Sequence, residues 1–288
     1  MSTLRNKFEE AFAEKMGVGS ALAVSSARNG LHLILKLITK PGDEVILPAF
    51  ICGSVVSSVR AAGAKPVFVD IKDDLTMDEG DVEKKMTSKT KVILAVHIYG
   101  RPTKVDLIQK VCNQNELILI EDCAQALGAR YQNKMVGSIG DFAIYSLTKS
   151  GRNSGGGVIV TEGKGVKNQL MLLGEQLGKR KGSLSKLMEL PYSGFKYVAS
   201  IYESEGSLTA KRLLDLVAGA SKLLGKKSDD GLNTNFGCSS FQLKRAWRQL
   251  QQTEKDNYQR EEVFTYLLER LRSHYKVPGL PEASNPLP

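Results

Sequence analysis

Up to about residue 161 the chain alternates short apolar runs with segments of helical period, and this alternation limits the possible folds more than any other feature. Residues 21–24, 44–47, 66–70, 92–96 and 117–121 read as strands. Between them lie helical patterns: one through Leu31, Ile34, Leu35 and Ile38, then 55–62 closed by Gly63, 80–86 and 105–113. Strands that alternate with helices need crossover connections, so the expected fold class is α/β, a mainly parallel sheet covered by helices on both faces. Two further strands, 142–145 and 158–161, flank a turn at Gly155-Gly156-Gly157.

Beyond this region the pattern changes. Residues 164–230 are rich in Lys, Gly and Ser, with helical stretches at 170–177 and 213–224. Residues 240–273 read as one or two amphipathic helices, and the Pro-rich tail predicts no further element. A length of 288 residues suits about two domains. The expected division is a large domain over 1–234, holding the basic segment 164–230 as an insertion-like piece, and the start of a second domain over 235–288.

Charge and cysteine content exclude several function classes. The net charge is +9, and residues 164–227 hold twelve Lys/Arg against five Asp/Glu, so +7 lies there. Such a segment suits a phosphorylated substrate, an anionic surface or simply water. It has no nucleic-acid-binding signature, so no nucleic-acid partner is expected. Contact with a membrane surface is not expected either, because each basic residue there adds only about 1 kcal/mol. Four scattered cysteines and three scattered histidines predict reduced thiols and no metal. The opening MSTLRNKFEEAFAEK is too acidic for a signal peptide, and no apolar run nears the roughly 20 residues of a membrane span, so the expected location is the cytoplasm.

In open parallel sheets ligands lie outside the carboxyl ends of the strands. The polar residues at those ends are Ser25-Ser26, Pro48 to Cys52, His97, Asp122, and Ser146 to Lys149. Lys149 is placed to lose its proton and form a Schiff base, although a lysine alone is more often a solvated surface group. Asp122, just beyond an apolar strand, needs a cationic partner, or else caps a helix. Ser25 and Ser26, with the amides opening the next helix at Ala27-Arg28, form either a phosphate cradle or a plain cap. His97 reads equally as a substrate contact or a satisfied structural histidine.

Taken together, the strings SSARNGLHLIL, PGDEVILPAF, GAKPVFVDI, KTKVILAVHIYG, LILIEDCAQALGARYQNKMVGSIGDFAIYSLTKS and GGGVIVTE resemble the DegT/DnrJ/StrS sugar aminotransferases, fold-type-I pyridoxal-phosphate enzymes. The resemblance is dense over residues 7–162 and returns at 235–250. It implies that Lys149 bonds the cofactor and moves the proton, that Asp122 holds the pyridinium nitrogen, and that Gln125 lies against the ring. It assigns Ser146, Ser26, Ala27 and Arg28 to the phosphate, Asn235 to the phosphate of a partner subunit in a homodimer with shared active sites, and His97 to a weaker substrate contact.

The implied function is transfer of an amino group from an amino-acid donor, glutamate above all, to a keto group of a nucleotide-linked sugar. Alternatives are another fold-type-I reaction, or a degenerate member with a binding or regulatory role. This chain departs from the family at Cys52, where many members carry an aromatic residue on the ring, at Ala27-Arg28 in place of Gly-Thr, and at Gly237 in place of Arg. Members are also longer, so the C-terminal small domain is expected to be incomplete here.

Overall fold

The computed structural model describes residues 3–149, 155–179, 236–271 and 284–285. Its centre is a seven-stranded sheet. The strands are β1 (Ser20–Val24), β2 (Glu44–Pro48), β3 (Lys65–Val69), β4 (Thr90–Val96), β5 (Ile118–Asp122), β8 (Phe142–Ser146) and β9 (Gly157–Thr161), in the order β1-β9-β8-β5-β4-β2-β3. Strand β9 runs antiparallel to both its neighbours, and the other pairings are parallel. The sheet is therefore mostly parallel, and the carboxyl ends of six strands share one edge.

Alternate residues of each strand feed two separate cores, which is why the strands read as continuous apolar runs rather than as half-polar ones. In β4, Val92, Leu94 and Val96 face α2 (Ala27–Ile38), α3 (Gly53–Ala62) and α6 (Lys164–Lys179). Ile93 and Ala95 face the other side, with α1 (Leu4–Met16), α4 (Glu79–Lys85) and α5 (Val105–Gln114). The helix α7 (Ser240–Leu271) joins that second core through buried Leu243, Ala246 and Leu250. The first turns of α7 therefore pack under the main sheet.

Helix α1, absent from the sequence reading, secures the edge strand β1. Buried Glu9 accepts the Ala23 amide at 2.9 Å while Arg5 donates to the Ala23 carbonyl at 2.7 Å. These two contacts occupy backbone groups that an edge strand would otherwise leave open. Glu9 also pairs with Arg5 at 2.9 Å and with Lys167 of α6 at 2.7 Å. One cation of the basic segment therefore serves an internal ion pair rather than a solvated face.

Two smaller differences concern the tail and a hairpin. The strands β6 (Arg130–Tyr131) and β7 (Lys134–Met135) form a tight hairpin turned by Gln132 and Asn133, both in the left-handed region. The backbone of β10 (Ser284–Asn285) pairs with β6, so the Pro-rich tail contributes an element that composition gave no reason to expect. The stretch expected to be helical at 170–177 lies within α6, and 240–271 is a single helix; residues 213–224 lie outside the described residues. Among the described residues no helix is long and apolar enough to cross a membrane.

Candidate cofactor site

A cavity of about 360 Å³ opens at the carboxyl edge of the sheet, a volume typical of small-molecule sites. Ser26, Ala27, Arg28, Cys52, His97, Asp122, Gln125, Ser146 and Lys149 all contribute to its wall. The topology explains the convergence: β1, β4, β5 and β8 end there, and α2 and α3 begin there. Asn235 lies outside the described residues, while its successors Phe236 and Gly237 are bonded to the end of β1, with Ser25 N donating to Phe236 O at 3.1 Å.

At the start of α2, Ser26 is the N-cap and accepts the Asn29 amide at 3.2 Å. This fits the cap reading of that serine, and the cap sits within the cavity wall. The Gly-rich turn presses directly on this helix start. Ser26 bridges to Gly156, and a Cβ on Gly157 would lie 2.4 Å from the Ala27 nitrogen. Only glycine allows so close an approach. Opposite, Ser146 Oγ lies 2.8 Å from Thr148 Oγ1. Hydroxyls, first-turn amides and the positive end of a helix make an environment for a phosphate.

The other end of the cavity is acidic. Asp122 is 6% exposed, and its Oδ1 accepts the Ala124 amide at 3.0 Å. Burial pushes this carboxyl above the ordinary aspartate range, against the Ala124 hydrogen bond and the charge of Lys149. A buried carboxylate whose charge is so poorly compensated suits a cationic ring nitrogen. Gln125 is oriented by Tyr99, whose backbone amide donates to its Oε1 at 2.7 Å. Tyr99 is in the left-handed region at φ 52°. Lys149, next to exposed Thr148, is itself exposed at the cavity wall.

His97 carries two readings, a substrate contact or a satisfied structural histidine. Its ring is fully buried, Nε2 lies 2.9 Å from Glu121 Oε2, and Nδ1 accepts the Thr103 amide at 3.2 Å. With Nδ1 accepting, Nε2 carries the proton and donates it to Glu121. Neither nitrogen remains for a substrate, so of the two readings the structural one fits the geometry.

Glu121 and Tyr99 escaped the sequence reading. Glu121 also accepts the amides of Gly137, Ile139 and Gly140 at 2.7–2.8 Å. Burial alone would raise its carboxyl; the hydrogen bond from His97 and those from Gly140 and Gly137 hold it below the ordinary glutamate range. The signal was present: two adjacent acids ending an apolar strand covered on both faces must each have a partner. Cys123 lies with His97 and Glu121 in a buried group of possible metal ligands, but here each Glu121 oxygen is already engaged by protein donors.

The sequence pattern of the DegT/DnrJ/EryC1/StrS aminotransferase family matches residues 3–198. This chain belongs to that family. It is 40% identical over 162 residues to the GDP-perosamine synthase of Escherichia coli O157:H7, covering 55% of this chain and 44% of that protein. The GDP-perosamine synthase of Caulobacter vibrioides is 34% identical over 226 residues, 76% of this chain and 59% of the relative. Among solved structures, S. venezuelae DesV superposes with a TM-score of 0.74 at 25% identity, covering 99% of this chain and 67% of that one. The chain spans about half the length of the curated relatives it matches. The cavity residues fit the family's cofactor, pyridoxal phosphate, on chemistry alone: phosphate donors at one end, a lysine amine in the wall and a buried, undercompensated carboxylate at the other end.

Proposed function

We propose that this chain is a pyridoxal-phosphate-dependent aminotransferase that moves an amino group from an amino acid, glutamate above all, to a keto group of a nucleotide-linked sugar. The observation that carries the reading is the convergence of Lys149 and buried Asp122 on one cavity with a phosphate environment at its other end. The two relatives named as GDP-perosamine synthases support the substrate class.

When bound, the cofactor supplies an electron sink for the pair left by a departing proton. Lys149 would bond it covalently and then serve as the base and acid at Nζ, taking the proton from one carbon and returning it to another. Asp122 would hold the ring nitrogen protonated. Gln125, fixed by Tyr99, would lie against the ring, and Ser26, the amides of Ala27 and Arg28, and Ser146 would hold the phosphate. Cys52 stands where many relatives place an aromatic residue.

The reading includes a homodimer in which Asn235 of one subunit completes the phosphate site of the other, and a cytoplasmic location that suits four free thiols. The test is formation of 2-oxoglutarate from glutamate by the loaded protein, dependent on a nucleotide-linked keto sugar. The reading expects turnover with wild type and none with Lys149→Ala; equal rates for the two would reject it.

A further inference from the structure

We propose that His97 is a positioning residue for the reaction: its buried ring closes the loop 97–103 against the end of β5, and the closed loop holds Asp122 and Gln125 in place at the cavity wall. The inference rests on the proposed function and deepens it, since it names what fixes the two residues assigned to the cofactor ring.

The loop leaves β4 at His97, passes the short turn Ile98–Gly100 and reaches Thr103 just before α5. The His97 amide donates to the Asp122 carbonyl at 3.1 Å, and its Nε2 donates to Glu121 Oε2 at 2.9 Å. The ring thus grips the residue before Asp122, while the backbone grips Asp122 itself. From the far end of the loop the Thr103 amide donates to Nδ1 at 3.2 Å, so both ends of the loop meet at one imidazole. Between those ends the Tyr99 amide reaches Gln125 Oε1 at 2.7 Å.

A neutral imidazole supplies an acceptor and a donor on one rigid ring, and the loop uses both. The direction of Glu121 matters as well. Leu119 and Cys123 lie in the core with α1 and α5, and Ile120 lies in the other core. Strand alternation therefore sends Glu121 to the face away from the cavity and Asp122 toward it. The bond from His97 holds β5 from behind and leaves the Asp122 carboxylate open to the cavity. Displacing a catalytic group by about 1 Å costs about a hundredfold in rate, so a ring that touches no reactant still bears on the reaction.

The test compares wild type with His97→Phe, which keeps a ring but removes both nitrogens, and with His97→Gln, which keeps an N–H donor for Glu121. Amide hydrogen exchange is measured first, by NMR, without cofactor. The expected result in His97→Phe is about tenfold faster exchange at the Tyr99, Thr103 and Ala124 amides, with Ile93 and Ile120 of the central strands unchanged. His97→Gln should fall between the other two, and it is compared with wild type alone if His97→Phe does not fold. Unchanged exchange in the loop, or equal acceleration throughout the sheet, overturns the proposal. The second readout is the absorbance of bound pyridoxal phosphate followed against pH. Its midpoint in His97→Phe should move in the same direction as in Asp122→Asn, with partial return in His97→Gln. A wild-type midpoint with the cofactor retained overturns the proposal. A wild-type protein that retains no cofactor counts against the proposed function instead, and the exchange rates then decide the hold of His97 on the loop.

Discussion

His97 Nε2 lies 2.9 Å from Glu121 Oε2 with both side chains fully buried, so the ends of two neighbouring parallel strands are tied together behind the cavity. Through its other hydrogen bonds Glu121 also holds the turn at Gly137–Gly140. Glu121 and Asp122 are consecutive residues with opposite conditions: the first is held by four donors, while burial outweighs the Ala124 amide at the second.

Glu121→Gln replaces an acceptor-only group by one that must point an N–H at an amide or at the His97 donor. Leaving a buried donor or acceptor without its partner costs about 1–3 kcal/mol. Urea unfolding should show that loss as a lower midpoint with an unchanged slope. A change below about 1 kcal/mol would mean that the clamp contributes little.

The same residue sets the sign of one pH dependence. Glu121 is held below its unfolded value, so its contribution is complete above the ordinary glutamate range, about 4.3, and is lost as the pH falls through the lower folded-state value. Stability measured from pH 6 downward should therefore fall less steeply in Glu121→Gln than in wild type. Parallel curves would contradict this.

Asp122 carries the opposite sign. Its carboxyl is held above the unfolded value by burial, so its contribution is present below the ordinary aspartate range and is lost as the pH rises through the folded-state value. Asp122→Asn keeps the acceptor for the Ala124 amide and removes the charge. At pH 7 the unliganded variant should be as stable as wild type or more so, yet bind pyridoxal phosphate in a form unable to turn over. Each pKa unit lost at the ring nitrogen corresponds to about 1.4 kcal/mol, so the rate should fall by several orders of magnitude. A near-normal rate would reduce Asp122 to a structural residue.

Gly157→Ala tests the contact between the turn and the start of α2. The added methyl meets the backbone at Ser26 and Ala27, which cannot swing aside as a side chain would. Overpacking of this kind costs about 1–3 kcal/mol. Weakened retention of pyridoxal phosphate should accompany the stability loss, read by equilibrium dialysis. Unchanged retention would show that the helix start does not take part in binding.

Much of this architecture was legible because its elements carry local signals. Continuous apolar runs separated by amphipathic helices gave the parallel sheet and its two covered faces, and the polar residues at strand ends gave the cavity wall. Helix α1 was missed because its apolar residues, Phe8, Phe12 and Met16, are few among charges, and its purpose becomes visible only when Glu9 meets Ala23. The pairing of β10 with β6 joins residues about 150 positions apart through backbone alone, which composition does not encode. At the site, Lys149, Asp122 and Gln125 were legible from motif and position. The engagement of His97 was not, since the donor to Nδ1 is the Thr103 amide, a group every residue but proline possesses.

The central claim rests on Lys149 as the residue that bonds pyridoxal phosphate. The direct measurement is borohydride reduction of the purified protein after incubation with pyridoxal phosphate, followed by mass-spectrometric peptide mapping. The account predicts one pyridoxyl group per chain on Lys149, absent from Lys149→Ala even where that variant still holds the cofactor by its phosphate. Label spread over other lysines, or no label on Lys149, would contradict it.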